Sequence, residues 1–349
     1  MAKSQIRQDP TISPADSGRE TRLRTALFHG AGLTLENPSY LQMLRTFTEE
    51  LLRVDREPCD LTSTSLGINK GRAQACIIAN ETGVLAGLEE AYWFYTHHGL
   101  KAERRASDGQ VIHAGQELLH LQGEAELLLS LERIGLNLLQ RMCGIATATR
   151  RLAAAAQQRS AHTHVVVTRK TPWGLLDKRA AHLGGGGTHR LGLGDAILIK
   201  SNHLRLFASK EEEAIPLALN RAWADRDRAA FIEVEVTGLP GTLAAGRAFL
   251  GLQVSDAKSH SYPCLIMLDN RFPEEVARII AALRAEGLWD NVLIEVSGGI
   301  SEATLEAYAD CGVDAISIGA LTHSCRALDL RCKLESWITE DARATRIDA

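Results

Sequence analysis

CLIMLDNRFPEEVARIIAALRAEGLWDNVLIEVSGGISEATLEAYADCGVDAISIGA, residues 264–320, states one pattern twice and begins it a third time. The apolar run CLIML ends at Asp269 and is followed by the helix-forming PEEVARIIAALRAEG. VLIEV runs into Ser297-Gly298-Gly299 and SEATLEAYADCG, and AISI runs into Gly319. Strand–helix alternation of this kind predicts parallel strands joined by crossover helices. Upstream, HVVVT, AILI and FIEVEV supply three more strands, with KEEEAIPLALNRAWADRD as a helix before the last. Six strands without a dinucleotide-binding fingerprint favour a barrel-like parallel arrangement, with an open doubly wound sheet as the alternative.

The polar residues fall in register at the strand ends. Arg169 and Lys170 follow VVVT, Lys200 follows AILI, Asp269 closes LIML, and Ser297, Gly298, Gly299 and Gly319 follow the last two runs. Within FIEVEV, Glu233 and Glu235 share one face and Ile232, Val234 and Val236 the other. In a barrel the C-terminal strand ends form one rim, where catalytic groups collect. One charged residue after a strand is ordinarily a solvated loop residue. The same placement on strand after strand points to a site. A serine and two glycines before a helix start offer backbone N–H groups and a helix N-terminus to a phosphate. Residues 168–203 add six Lys or Arg, three His, four consecutive glycines and two acids, in a chain of formal charge −4. That stretch reads as an anion site.

The chain's 349 residues and 45% hydrophobic content fit about two domains. Residues 1–35 are polar and aperiodic and read as a mobile N-terminal tail. Residues 36–146 read as an α+β domain. There Asn37 caps the helix PSYLQMLRTFTEELLRV, with Pro38 in its first turn. QVIHAGQELLHLQG alternates like a hairpin. EAELLLSLERIGLNLLQRMCGIATATRRLAAAAQQR is a long helix, with Gly135 and Gly144 as contact or break points. The barrel takes residues 147–325, and a C-terminal helical segment takes 326–349. Seven cysteines without a C-x-x-C pair read as reduced thiols of a cytoplasmic protein. No secretory signal and no run of membrane-spanning length is seen. An acidic balance with 5% aromatics gives no support to nucleic-acid binding.

With these segments in place, the chain resembles the quinolinate phosphoribosyltransferase family. DLTSTS, ANETGVLAGL, LERIGLNLLQRMCGIATATR, TRKT, GGGGTHRLGLGDAILIKSNH, IEVEV, IMLDN, VSGGI and SIGALTHS stand in the family's order, from about Asp60 to about Leu330. The resemblance implies an α+β domain followed by a type II phosphoribosyltransferase-like incomplete barrel. It implies transfer from phosphoribosyl pyrophosphate to quinolinate with decarboxylation, giving nicotinate mononucleotide, CO2 and pyrophosphate for NAD biosynthesis. By matching positions, Arg133, Arg169, His189, Arg190 and Lys200 would bind quinolinate, Arg suiting carboxylates through its planar fork. Lys170, Glu235, Asp269, Ser297, Gly298, Gly299, Gly319 and His323 would hold phosphoribosyl pyrophosphate. Lys170, Lys200, Glu235 and Asp269 would form the catalytic set, with Glu235 and Asp269 meeting Mg2+ through substrate or water. The resemblance also implies a homodimer, or a higher oligomer, whose sites are shared, Arg133 serving the neighbouring subunit.

The family pattern is broken at five places, one of them the spacing from Glu235 to Asp269, which is longer than the family's. Val167 stands where the family has Asp, and TPWGLLDK is two residues shorter and lacks the family's arginine. Ser201 and Thr237 replace acids. Three other readings compete with the main one. They are a paralogue acting on another pyridine or azole carboxylate, a non-catalytic phosphoribosyl-metabolite sensor, and a Schiff-base lyase using Lys200.

Overall fold

The structure, a computed structural model, describes residues 14–57, 59–68, 71–255, 261–339 and 345–346. Its helices are α1 Pro14–Leu27, α2 Pro38–Arg56, α3 Leu61–Ser65, α4 Leu88–His97, α5 Ala125–Arg159 and α6 Leu175–Leu183. They continue with α7 Ser201–Leu204, α8 Glu211–Trp223, α9 Leu239–Ser255, α10 Pro273–Ala285, α11 Glu302–Ala309 and α12 Ala320–His323. The strands are β1 Gly71–Ala79, β2 Gly83–Val84, β3 Lys101–Arg104, β4 Val111–Ile112, β5 Glu117–Glu124 and β6 His164–Val166. β7 Ile197–Ile199, β8 Ile232–Val236, β9 Cys264–Asp269, β10 Leu293–Ser297, β11 Ala315–Ser317, β12 Leu330–Thr339 and β13 Thr345–Arg346 follow. Two compact units result. One comprises residues up to His29 with Ala154–Thr168 and His189–Ile318; the other comprises Gly30–Ala153, Arg169–Thr188 and residues from Gly319 on.

The first unit is the α/β one. Its six strands run in the order β6-β11-β10-β9-β8-β7, every neighbour parallel. Among the described residues β6 and β7 each pair on one side only, so the sheet is an incomplete barrel. The strands are buried along nearly their whole length, as parallel strands covered by helices must be.

The starts of these strands are closed by α1, which falls within the expected N-terminal tail. Leu23, Ala26 and Leu27 of α1 are buried with Ala196, Phe231, Leu265, Leu293 and Ala315, which lead into or begin β7 to β11. Arg19 donates from Nε and Nη2 to the two Asp314 oxygens at 2.5 and 2.6 Å and from Nη1 to Trp289 O at 2.8 Å. Glu20 lies 2.9 Å from His164 Nε2. The apolar stripe spans one turn only, too short to show periodicity, and Arg19 and Glu20 beside it are ion-pair partners. Residues 1–13 of the expected tail lie outside the described residues.

The second unit is built on an antiparallel sheet in the order β13-β12-β1-β5-β3. The expected C-terminal helical segment is instead strand β12, paired antiparallel along β1. LRCKLES alternates buried or half-buried with exposed residues from Leu330 to Lys333, the period of a strand. The C-terminal segment therefore completes the first α+β domain rather than extending the barrel. The expected hairpin over residues 110–123 is not one: β4 pairs with β2, while β5 pairs with β1 and β3. α2 begins as its sequence dictates, with Asn37 Oδ1 accepting from Ser39 N at 3.0 Å and Tyr40 N at 3.4 Å. α5 runs unbroken through both glycines, which are contact points. A Cβ on Gly135 would meet Tyr95 Oη at 2.0 Å, and one on Gly144 would meet Arg326 O at 2.1 Å.

Candidate active site

The barrel unit carries charged residues on the ends of successive strands. Lys200 follows β7 and donates from Nζ to Glu235 Oε2 of β8 at 3.1 Å. Glu235 is the more enclosed of the two, with 13% of its side chain exposed against 48% for Lys200. Asp269 closes β9 in register with Ser297, which closes β10. Asn270 then turns left-handed at φ 54, its N–H donating to Ser297 O at 2.8 Å and its Nδ2 to Asp269 Oδ2 at 2.8 Å. Gly298 sits at φ 100, and a Cβ there would fall 2.3 Å from Asn270 Oδ1. Only glycine allows the β10 loop to approach Asn270 so closely. Gly299 is also left-handed, at φ 62, and Ser301 then caps α11 in a capping box with Thr304. Asp269, Asn270, Ser297 and Gly298 are one interlocked corner.

His189 and Arg190 stand in the segment leading to β7, and both are buried. The His189 ring points into the barrel. Its Nε2 lies 3.1 Å from Glu233 Oε2 and 3.3 Å from Glu295 Oε2, and its Nδ1 accepts the Arg190 N–H at 2.7 Å. Nδ1 is thus engaged by the neighbouring main chain, while Nε2 faces the two buried carboxylates. Arg190 donates from Nη1 to Ala196 O at 3.4 Å. Leu191 N donates to Asp195 Oδ2 at 2.7 Å, and the same oxygen lies 2.8 Å from His29 Nδ1.

In the second unit, Arg133 is exposed on α5 and Arg169 is exposed beyond the first barrel strand. Lys170 O accepts from Thr322 Oγ1 at 2.8 Å. A Cβ on Gly319 would sit 3.2 Å from His323 Nε2 and 3.3 Å from Lys170 Cδ, so glycine lets these two side chains draw close. The divergent TPWGLLDK segment is organised by Asp177, which is buried. Its oxygens accept from Arg141 Nε and Nη2, both at 2.7 Å, from Trp173 N at 3.3 Å and from Thr171 Oγ1. Arg141 also donates to Thr322 O at 2.7 Å. The Trp173 ring packs at 5.1 Å from Phe47 and 5.0 Å from the Arg141 guanidinium carbon. Lys178 Nζ donates to Thr188 O at 2.5 Å, tying down the end of the glycine tract.

The structure thus joins Lys200 with Glu235, Asp269 with the Ser297-Gly298 corner, and Lys170 with Gly319 and His323. Reasoning from the sequence missed Arg141, Asp177, Glu295 and Ser317. A signal for Glu295 was present, since a charge inside the apolar run VLIEV must find a buried partner. Arg141 sits on an amphipathic helix and carries no such mark.

Comparisons with known proteins agree on one family. A model of the quinolinate phosphoribosyl transferase C-terminal domain matches residues 145–333, and one of its N-terminal domain matches residues 60–143. The probable nicotinate-nucleotide pyrophosphorylase (carboxylating) of Methanothermobacter thermautotrophicus is 35% identical over 291 residues, covering 82% of this chain and 96% of its own. The Mycobacterium leprae nicotinate-nucleotide pyrophosphorylase (carboxylating) is 38% identical over 260 residues, covering 73% of this chain and 84% of its own. Among solved structures, the nicotinate-nucleotide pyrophosphorylase of Francisella tularensis is similar at a TM-score of 0.71 and 30% identity, over 84% of this chain and 96% of that one.

Proposed function

This chain belongs to the quinolinate phosphoribosyltransferase family, and on that premise we propose how its own residues carry out the family's reaction. It transfers the phosphoribosyl group of phosphoribosyl pyrophosphate to quinolinate, leaving nicotinate mononucleotide, CO2 and pyrophosphate. The residue assignment rests on one observation: Lys200, Glu235, Asp269 and the left-handed Gly298-Gly299 turn occupy the ends of successive parallel strands.

As pyrophosphate leaves, positive charge develops on the ribose ring, and the pyridine nitrogen attacks from the opposite face. The Glu235 and Asp269 carboxylates stabilise that charge and orient the ribose hydroxyls. The Ser297-Gly298-Gly299 turn and the start of α11 receive the 5′-phosphate. Lys170 and His323 take the pyrophosphate end, and Arg169, Arg190 and Lys200 take the quinolinate carboxylates, each charged hydrogen bond contributing about 1.5–3 kcal/mol. Once nitrogen is quaternary, it stabilises the electron pair left on the ring carbon when CO2 departs, and solvent supplies the replacing proton. No side-chain nucleophile is required. Glu235 and Asp269 offer hard carboxylate oxygens, the donor type that suits Mg2+ held largely through water and substrate. Bound there, Mg2+ would neutralise charge on the pyrophosphate. The same reading makes the enzyme a cytoplasmic homodimer, with Arg133 serving the partner subunit's site. None of the described helices is long and apolar enough to cross a membrane.

A second reading, a paralogue taking another pyridine or azole carboxylate, is favoured by the TPWGLLDK segment, which is two residues shorter than the family's and lacks its arginine. A screen of pyridine carboxylates with phosphoribosyl pyrophosphate and Mg2+ separates the two. Quinolinate is expected to yield pyrophosphate, CO2 and nicotinate mononucleotide in equal amounts. Product from a monocarboxylate but not from quinolinate would move the assignment to the paralogue.

A further inference from the structure

The antiparallel sheet of the second unit holds a side-chain cluster that phosphoribosyl transfer leaves unused. Cys76 of β1 stands directly opposite His120 of β5, so the two side chains leave the same face of the sheet. Cys76 is buried and His120 half-buried. Glu117 is three positions from His120, a spacing that sends side chains to opposite faces of a regular strand. The pairing of β5 with β1 skips Leu118, and this bulge lets Glu117 share the face of His120. Glu117 Oε2 lies 3.1 Å from His120 Nε2. A second bulge, at Glu335 in β12, interrupts the pairing opposite Gln74 and Ala75. Glu335 Oε2 lies 3.9 Å from His120 Nδ1.

A histidine between two glutamates is an ordinary ion-pair arrangement, but it does not account for the buried thiol at its side. Sulfur, imidazole nitrogen and carboxylate oxygen lie within 4.8 Å of one another. Zn–N and Zn–O bonds of about 2.0–2.2 Å at the tetrahedral angle set two such ligands roughly 3.3–3.5 Å apart, close to the His120–Glu117 separation. A thiolate and an imidazole favour Zn2+ over Mg2+, which suits all-oxygen sites. The Cys76 thiol donates only a long contact to Ile77 O, at 3.7 Å, and would pass its proton to solvent as the metal binds. With metal on Nε2, the ring proton sits on Nδ1, the nitrogen that faces Glu335. A carboxylate in that place is the usual support of a metal-bound imidazole. A cleft of about 290 Å3, lined by Gln74, Lys101, Glu103, His120 and Gln122, opens onto the ring and gives an ion a way in.

We propose that Cys76, Glu117 and His120 form a site for Zn2+ or another thiophilic divalent cation that ties β1 to β5, with Glu335 holding the His120 ring. Three protein ligands leave the fourth tetrahedral position to water. The site is distinct from the carboxylates assigned to Mg2+, since Glu235 and Asp269 belong to the first unit. An ion held by side chains from two strands binds the folded chain and not the unfolded one, so Zn2+ should raise the melting temperature.

Chelator-treated protein, kept in excess Mg2+ to occupy the barrel carboxylates, is titrated with Zn2+ by calorimetry. Wild type should take up one Zn2+ per chain at this site. Cys76→Ser and His120→Ala should each weaken binding about a hundredfold or more, and Glu335→Gln about tenfold, as loss of a ligand's support does. Co2+ in place of Zn2+ reports the ligand itself. Wild type should show sulfur-to-metal charge-transfer absorption in the near ultraviolet, and Cys76→Ser should lose it, which separates Cys76 from the other six cysteines. Circular dichroism confirms folding, and His120→Ala, at a half-buried position, carries the test if the buried Cys76→Ser does not fold. Unchanged Zn2+ affinity in His120→Ala, or a wild-type cobalt complex without the sulfur band, would overturn the proposal. Neither readout depends on turnover, so the outcome stands apart from the substrate assignment.

Discussion

Asp269→Ala is expected to lower kcat by about 10²–10³-fold, the range seen when one preorganised electrostatic partner of a transition state is lost. The carboxylate closes β9 at the corner shared with Asn270, Ser297 and Gly298. Positive charge on the ribose exists only while the glycosidic bond is breaking, so the interaction is stronger in the transition state than with bound substrate. Quinolinate affinity, measured by calorimetric titration, should stay near wild type. Asp269→Asn separates charge from shape. It keeps an oxygen for the Asn270 Nδ2 donor but loses the charge, and should be nearly as slow as the alanine variant. An asparagine enzyme with wild-type kcat would show that Asp269 serves only to hold the corner.

What was legible in the sequence follows from which interactions are local. Strands β7 to β11 were readable because each is a short apolar run bounded by a helix, and Lys200, Glu235, Asp269 and Ser297 were readable because they end or follow those runs. α1 was not, because its burial depends on Leu23, Ala26 and Leu27 meeting strand starts far along the chain. β12 was misread because helix and strand differ little over LRCKLESW until β1 is there to pair with it. The inward turn of His189 was hidden for a similar reason. His189 and Arg190 are adjacent in THR and look like one cationic pair. The left-handed backbone at His189 sends its ring to Glu233 and Glu295, residues 44 and 106 positions onward by their numbering.

Arg141→Ala should destabilise the fold by about 3–5 kcal/mol, the cost of leaving a buried charge without its partner. Asp177 has none of its side chain exposed, and Arg141 supplies both of its fork donors at 2.7 Å. The donors that remain, Thr171 Oγ1 and Trp173 N, come from the loop that Asp177 itself organises, so the loss also loosens the segment carrying Arg169 and Lys170. The reverse substitution should be milder. Asp177→Asn keeps a carbonyl acceptor and leaves the charge on Arg141, whose side chain is 20% exposed and can be hydrated. Arg141→Lys keeps the charge but not the two-pronged geometry, and should fall between them. Thermal melts of the three variants should therefore rank Asp177→Asn above Arg141→Lys above Arg141→Ala, with kcat falling in the same order. A melting temperature for Arg141→Ala equal to wild type would mean that water reaches Asp177 once the arginine is gone. The divergent loop would then owe its shape to the packing of Trp173 on Phe47 rather than to the ion pair.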